Sequence, residues 1–148
     1  MIPRVRTIKS KQLLKDALRE MVKWNIGSVV VVKGGKPVGI VTERDISRNV
    51  AKGARTLKNQ VKSVMSSPLI AVSPNEGIQS AMTIMLKNRV RRLPVIEKEK
   101  LVGILTERDI LRWVLKLSHE PLIPKEIKQI LEKPASSKPN SSQPSTER

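Results

Sequence analysis

A threonine followed three residues later by an aspartate occurs twice in the chain, and these four side chains are the first candidates for a binding site. Thr42 and Asp45 lie in residues 38–48 (VGIVTERDISR), and Thr106 and Asp109 lie in residues 102–112 (VGILTERDILR). Each stretch predicts a strand, a tight turn and the start of a helix. A carboxylate at such a junction accepts hydrogen bonds from the vicinal hydroxyls of a ribose, and a threonine hydroxyl beside free helix N–H groups suits a phosphate.

The same four residues also fit a purely structural role. A threonine three residues before an acidic side chain resembles a capping box at a helix N-terminus. The negative charge of Asp45 or Asp109 would also favour the positive end of the helix dipole. The two roles are compatible, because the threonine and the backbone can form the cap while the aspartate faces a cleft.

The two stretches belong to an internal duplication with an offset of 64 residues. Nine of their eleven positions are identical, and the match continues upstream without a gap. Ala17 falls on Ala81, for example, and Met21 falls on Met85. Two copies of one unit imply a pseudo-symmetric pair in which neither half buries its apolar face alone.

The apolar pattern predicts the same element order, β-α-β-β-α, in both copies. The first copy is expected to have strands at 5–8, 29–32 and 37–41, a helix capped by Ser10 and ended by Asn25, and a helix from 43 to about 51. The second is expected to have strands at 69–72, 93–96 and 101–105 and helices at about 76–87 and 107–117. The predicted fold class is α/β (α+β), with parallel strands joined by a helix and a third, antiparallel strand in each repeat.

The duplication and the local composition set the predicted boundaries. The first repeat is assigned to residues 1–58, the second to 59–120, a short C-terminal helix to 121–133 and a disordered tail to 134–148. The tail is too poor in apolar residues to order itself. The connector over 53–67 is polar and is predicted to contain a short helix over 57–65.

Composition argues against several classes of site. The chain has no cysteine and one histidine, so metal sites, a cysteine nucleophile and a histidine acid–base pair are not expected. No Walker phosphate loop is present, and we therefore expect no catalysis. The longest purely apolar run, 29–32, is far shorter than the roughly 20 residues of a membrane-spanning helix, and the N-terminus lacks a signal-peptide core. We expect a cytoplasmic protein without membrane contact.

The two motifs resemble the Gly-h-h-Thr/Ser-x-x-Asp ribose-binding signature of cystathionine-beta-synthase (CBS) domains, which occur as tandem pairs called Bateman modules. The resemblance covers residues of about 3–118 and includes the β-α-β-β-α order. It implies two CBS repeats packed with pseudo-two-fold symmetry and clefts between them that bind AMP, ADP, ATP or S-adenosylmethionine. It also implies that the module pairs into a homodimer.

The resemblance further assigns roles to individual residues. Asp45 and Asp109 would hold the ribose hydroxyls, and Thr42 and Thr106 would lie near the ribose or the phosphate. The adenine would be held by the first strand of each repeat together with the strand after its first helix. Those segments are Thr7 and Ile8 with residues 29–30 in the first repeat, and Ile70 and Ala71 with Leu93 and Pro94 in the second.

The two copies differ where a phosphate would be recognised. The second has Arg91 and Arg92 within residues 89–94 (RVRRLP), which resembles the basic pattern that contacts phosphate in nucleotide-sensing members of the family. The first has residues 25–30 (NIGSVV) at the same offsets. We therefore expect unequal sites, with phosphate charge met mainly by the second copy. The alternative is that these arginines only form a solvated entry to the strand.

Three functions are compatible with the sequence. The preferred one is a non-catalytic regulatory module that needs no cofactor, binds AMP, ADP or ATP, and passes the occupancy of its sites to a regulated partner protein. The second is nucleic-acid binding, because 29 basic against 13 acidic residues give a net charge of +16, although the chain has no Phe or Tyr to stack on bases. The third is a dimerisation module with empty clefts.

Overall fold

The computed structural model describes residues 5–53 and 55–117, which contain two similar series of elements. The first repeat has β1 (Thr7–Lys9), α1 (Leu14–Trp24), β2 (Ser28–Lys33), β3 (Lys36–Thr42) and α2 (Glu43–Val50). The second has α3 (Ile78–Asn88), β4 (Arg92–Glu97), β5 (Lys100–Thr106) and α4 (Glu107–Leu117). The predicted mixed α+β class is confirmed.

The chain divides into one compact unit over Met1–Trp113 and another over Val114–Arg148. Both repeats lie in the first unit, except for the end of α4. The helix predicted at 121–133 and the tail predicted at 134–148 lie outside the described residues, and the boundary between residues 58 and 59 stays a prediction. In the connector, two short 3-10 turns, Thr56–Lys58 and Val61–Ser63, replace the single predicted helix.

The sheet of the first repeat has the order β1-β2-β3. β1 runs parallel to β2 and β3 runs antiparallel to it, so that Thr7, Val30 and Ile40 share one rung. β2 and β3 are joined by two glycines with positive φ angles, Gly34 at 57° and Gly35 at 77°. This two-glycine hairpin allows the tight turn because glycine adopts such angles without steric cost.

Among the described residues, the sheet of the second repeat contains β4 and β5 alone, and the strand predicted at 69–72 is wrong. Val72 alone bridges to Val95. In the first repeat, the N–H of Val30 donates to Arg6 and the N–H of Ser10 donates to Val32. The equivalent donors, at an offset of 64 residues, are Pro94 and Pro74. Proline has no N–H group, so the second repeat cannot form these two ladder bonds.

The start of α1 also differs from the prediction. The helix begins at Leu14, and Ser10 is buried in the preceding turn rather than serving as the cap. The N–H of Ser10 donates to Val32 at 3.0 Å, and its carbonyl accepts from Lys62 at 3.0 Å. The end of the helix is as predicted, because Asn25 adopts the left-handed conformation (φ 50°) at the C-cap.

Two hydrophobic clusters form the core of the described residues, one centred on the elements of each repeat, and they use equivalent positions. The first contains Ile8, Leu14, Ala17, Met21, Val29, Val31, Val41, Ile46 and Val61, and the second contains Val72, Ala81, Met85, Leu93, Val95 and Ile110. Each of the six residues of the second cluster lies 64 positions after a member of the first. The duplicated pattern supplies equivalent apolar residues, and the strand-to-helix junctions of both repeats therefore pack on similar cores.

Candidate functional site

Each candidate threonine is the last residue of a strand, and each candidate aspartate lies in the first turn of the next helix. β3 ends at Thr42 where α2 begins, and β5 ends at Thr106 where α4 begins. Because strand and helix meet without a loop, regular structure on both sides positions these four side chains. The predicted strand and helix start are confirmed in both copies, whereas the predicted turn between them is replaced by a direct strand-to-helix junction.

The two pairs form the same set of hydrogen bonds. The N–H and the Oγ1 hydroxyl of Thr42 donate to Oδ2 of Asp45 at 2.9 and 2.9 Å, and the N–H of Asp45 donates to Thr42 Oγ1 at 3.2 Å. The corresponding distances between Thr106 and Asp109 are 2.9, 2.7 and 3.2 Å. The capping box is therefore present at both helices.

Both capping bonds reach the same carboxylate oxygen. Within the described ranges, the other oxygen, Oδ1, of Asp45 and of Asp109 accepts no hydrogen bond. Both aspartates are only half-buried. A fixed carboxylate with one vacant acceptor atom can receive hydrogen bonds from the hydroxyls of a ribose.

Asp109 is held in its charged form. Partial burial by itself raises the pKa of Asp109, but the hydrogen bonds from the hydroxyl and the N–H of Thr106, together with the positive charge of Arg112, lower the pKa to below its ordinary value of 3.8. At neutral pH the carboxylate is therefore purely a hydrogen-bond acceptor.

The helix N-termini offer fewer free N–H groups than the sequence suggests. The N–H of Glu43 donates to Gly27 at 3.1 Å, and the N–H of Glu107 donates to Arg91 at 3.0 Å. The N–H groups of Asp45 and Asp109 are engaged by the threonines. Two of the first three N–H groups of each helix are thus occupied, so a phosphate here would depend mainly on side-chain cations.

The segments expected to hold a base differ between the repeats. In the first, Thr7 is exposed and Ile8 is buried, and the carbonyl of Arg6 accepts a hydrogen bond from Val30 at 3.1 Å. In the second, Ile70 and Ala71 are half-buried and precede the bridge at Val72.

Pro94 is buried opposite this second segment and has no N–H to donate. The carbonyl of Ile70 is the equivalent of the Arg6 carbonyl, and it lacks the partner that Val30 provides in the first repeat. The second repeat therefore presents a backbone acceptor that the first repeat has already used.

Gly39, the glycine of the first motif, allows a close approach of another segment to its strand. A Cβ on Gly39 would lie 2.7 Å from Met65 Sδ and 2.9 Å from the carbonyl oxygen of Ser66. Ile40 exchanges two backbone hydrogen bonds with Ser66, at 3.2 and 2.9 Å. The group that approaches the strand is thus the connector of the chain itself.

The two predicted phosphate-binding arginines point to different repeats. Nε of Arg91 lies 3.9 Å from Oε2 of Glu107, within the second repeat. The main chain of Arg92 pairs with Thr106, but its guanidinium lies against Gly27, the residue before β2 of the first repeat. Glu43 Oε2 would be 3.4 Å from a Cβ on Gly27, so the guanidinium and the carboxylate are neighbours.

Sequence reasoning missed Gly27 and Glu43 as parts of this region. The only local signal is that Gly27 stands where the second copy has Arg91. The described residues contain no group of three or more His, Cys, Asp or Glu side chains that could hold a metal ion. Their helices also fall short of the length and apolarity needed to cross a bilayer.

Comparison with known proteins agrees with the repeat structure. The model of the CBS domain family matches residues 1–52 and 61–116. The CBS domain-containing protein YhcV of Bacillus subtilis (strain 168) is 32% identical over 110 residues, which are 74% of this chain and 79% of that protein. Several other curated relatives are longer, and the chain spans about half of their length or less.

Two solved structures of similar fold contain adenosine compounds. The CBS domain pair of protein MJ0100, in complex with 5-methylthioadenosine and S-adenosyl-L-methionine, has a TM-score of 0.71 and 26% identity, covering 78% of this chain and 91% of that one. CBSX2 in complex with AMP has a TM-score of 0.69 and 26% identity, covering 79% and 93%. From the two family-model matches, the relatives and the two equivalent strand-to-helix junctions, we conclude that the chain belongs to the CBS domain family and contains a pair of these domains.

Proposed function

We propose that this CBS pair is a regulatory module that binds an adenosine-containing nucleotide, AMP, ADP or ATP or else S-adenosylmethionine, and passes the occupancy to a partner protein. The observation that carries the proposal is the vacant Oδ1 of Asp45 and of Asp109, each fixed by a cap on Oδ2. The ligands in the MJ0100 and CBSX2 structures are of the same chemical class.

In this proposal the vacant aspartate oxygens receive the ribose hydroxyls, and Thr42 and Thr106 lie beside the ribose or the phosphate. The base lies at the edge of Thr7 and Ile8 in the first repeat. In the second, it lies at Ile70, Ala71 and Pro94. No bond is made or broken, and no cofactor is required. The ligand acts by binding two states of the module, or of its complex with a partner, with different affinities.

In this proposal, the module binds a second copy of the chain to form a homodimer. Val22 on α1 and Leu86 on α3 occupy equivalent positions and are 75% and 78% exposed. Met82 and Trp113 line a shallow apolar groove on the second repeat, and Leu18 lines the equivalent groove on the first. Apolar side chains repeated on the outer face of both repeats are typical of a homodimer interface.

Calorimetric titration of AMP tests the ligand proposal. In an Asp45→Asn/Asp109→Asn double variant, an amide oxygen can still accept the capping bonds, but the vacant acceptor becomes a donor. We expect saturable binding to the wild type and a loss of affinity of about tenfold or more in the variant.

Asp16→Asn is the matched control. Oδ2 of Asp16 accepts a hydrogen bond from the N–H of Leu13 at 3.2 Å, so this change also alters a helix-start carboxylate, but away from both sites. It should leave AMP binding unchanged. An absence of heat in every protein at two temperatures, or an equal loss of affinity in the control, would refute the proposal.

A further inference from the structure

The connector is bonded to the first repeat before it enters the second. The N–H of Val61 donates to the carbonyl of Gln12 at 2.8 Å, and the N–H of Lys62 donates to the carbonyl of Ser10 at 3.0 Å. The side chain of Val61 is fully buried in the hydrophobic cluster of the first repeat. This part of the connector therefore moves with the first repeat, because any separation would break backbone hydrogen bonds and open that core.

The last contact of the connector with the first repeat lies on β3, close to the candidate site. Ile40 and Ser66 exchange two backbone hydrogen bonds, at 3.2 and 2.9 Å, and Ile40 is two residues before Thr42. The φ angle of Gly39 is not positive, so glycine is needed here for space rather than for conformation. A Cβ at this position would lie 2.9 Å from the carbonyl oxygen of Ser66. Gly39 therefore admits the connector to the edge of β3.

Residues 67–71 follow this pairing directly, and they include Ile70 and Ala71, the segment proposed to hold the base at the second site. Within the described ranges, no backbone group of these five residues forms a hydrogen bond. The side chain of Ile70 packs against the hydrophobic cluster of the second repeat. The backbone of the segment is thus fixed at its two ends, by Ser66 and by Val72.

The two ends are fixed by different repeats. The N–H of Val72 donates to the carbonyl of Pro94 at 3.0 Å, and its carbonyl accepts from Ile96 at 2.9 Å, both within the second repeat. Ser66, in contrast, is bonded to β3 of the first repeat. The corresponding segment of the first repeat lies in β1, which pairs with β2 of the same repeat. The second site is therefore assembled from both repeats.

We infer that the pairing of Ile40 with Ser66 positions the base segment of the second site, so that Gly39 and Ser66 are positioning residues for a ligand held by the other repeat. This inference rests on the proposed function. The segment between the two fixed ends is short, and Pro68 has a fixed φ angle, so a shift at Ser66 is passed on to Ile70. By linkage, a ligand at the second site stabilises the pairing in return.

The test measures adenosine affinity by calorimetry on the full chain, with one site left intact at a time. Ser66→Pro removes the N–H that donates to Ile40, whereas Ser66→Ala keeps it and loses only an exposed hydroxyl. In an Asp45→Asn background, which leaves the second site, we expect Ser66→Pro to weaken adenosine binding about fivefold or more. Ser66→Ala should change it less than about twofold.

Gly39→Ala disturbs the same pairing from the other strand. It should weaken adenosine binding at the second site as Ser66→Pro does, because the added Cβ collides with the connector. Gly77→Ala is the matched control. It makes the same change at a glycine whose added Cβ would have no neighbour within 4 Å among the described residues, and whose φ is −68°. It should leave the affinity of both sites unchanged.

An Asp109→Asn background, which leaves the first site, separates positioning from damage to the fold. There Ser66→Pro and Gly39→Ala should change adenosine affinity less than about twofold. Equal losses at both sites would overturn the inference. If adenosine binding depends on the aspartates but not on Ser66 or Gly39, this inference alone fails. If adenosine does not bind, or binds independently of the aspartates, the proposed function fails as well.

Hydrogen exchange at the Ser66 amide tests the reciprocal effect. Adenosine bound at the second site, in the Asp45→Asn background, should slow this exchange about fivefold, the same factor by which loss of the pairing weakens binding. Adenosine bound at the first site, in the Asp109→Asn background, should slow it less than about twofold. Equal slowing in the two backgrounds would reflect general stabilisation of the fold by a ligand, and would overturn the inference. Exchange at Ser66 that does not respond to adenosine in either background would also overturn it.

Discussion

Each candidate aspartate uses its two carboxylate oxygens differently. Oδ2 of Asp45 and of Asp109 accepts the capping bonds, and Oδ1 remains vacant within the described residues. The cap and the binding site are therefore two uses of one side chain rather than competing explanations. Because the cap fixes the carboxylate before a ligand arrives, little side-chain entropy would be lost on binding.

The lowered pKa of Asp109 gives a prediction for the dependence of stability on pH. A carboxylate with a lower pKa in the folded than in the unfolded state stabilises the fold above the unfolded pKa, and this contribution is lost as the pH falls through the folded pKa. The contribution of Asp109 to the free energy of unfolding should therefore be constant between about pH 5 and 7. It should decrease as the pH is lowered past 3.8, the ordinary pKa of the group.

Urea unfolding of the wild type and Asp109→Asn across this range isolates the contribution of Asp109. The difference in free energy between the two proteins should shrink in acid.

Thr106→Val removes the hydroxyl donor, so an NMR titration of this variant should show a raised pKa for Asp109. An acid dependence that is the same in all three proteins would contradict the assignment.

The sequence predicts the Thr–Asp pairs because their spacing is local, but it does not predict the contact between Arg92 and Gly27. These two residues are 65 positions apart, and their proximity depends on how the repeats face each other. Hydrophobic periodicity describes each repeat separately and carries no such information. The sequence feature that reflects this contact is Gly27, a neutral residue at the position equivalent to Arg91.

At the scale of elements, the duplicated pattern predicts most strands and helices to within a few residues. The exceptions have backbone causes. The capping role of Ser10 fails because its carbonyl binds the connector at Lys62, a contact that no local pattern includes. The strand before Val72 fails because Pro74 and Pro94 replace two N–H donors of the first repeat.

Replacing Pro94 with valine, the residue at the equivalent position in the first repeat, should lengthen the parallel pairing in the second. The new amide at position 94 should donate to the carbonyl of Ile70, as Val30 donates to Arg6 at 3.1 Å. Hydrogen exchange at position 94 should then be slow, like that of Val30. Affinity of the second site for adenosine should fall if the Ile70 carbonyl holds the base.

Pro74→Ser is the matched control, since it restores the other missing donor, that of Ser10, away from this carbonyl. It should protect the amide at position 74 without changing adenosine binding. Rapid exchange at position 94 in Pro94→Val would show that the missing N–H is not what limits the pairing.

At the scale of the whole molecule, the two repeats differ in charge on equivalent faces. The outer groove of α1 is lined by Lys15, Arg19 and Lys23, and the equivalent groove of α3 includes Gln79 and Met82. The guanidinium of Arg19 lies 3.6 Å from Oδ1 of Asp16. This ion pair is exposed to solvent, so it does not neutralise the positive charge of the face. The face of α1 is the specific feature that favours the alternative function, nucleic-acid binding.

Salt dependence separates the two functions. Affinity for duplex DNA, if it arises from the +16 charge and this face, should fall steeply between about 50 and 200 mM salt, because each phosphate contact releases counterions. AMP has a single phosphate, so its affinity should change much less over the same range.

Lys15→Gln/Arg19→Thr gives the face of α1 the residues found at the equivalent positions of the second repeat, 79 and 83. If DNA contacts this face, the double variant should reduce the slope of log affinity against log salt by about 2, one for each lost phosphate contact, and leave AMP binding unchanged. An unchanged slope would show that the cations of α1 do not contact DNA. A wild-type DNA affinity that does not vary with salt would exclude the polyanion mechanism, because contacts between Lys or Arg and DNA phosphates release counterions and therefore weaken as salt rises.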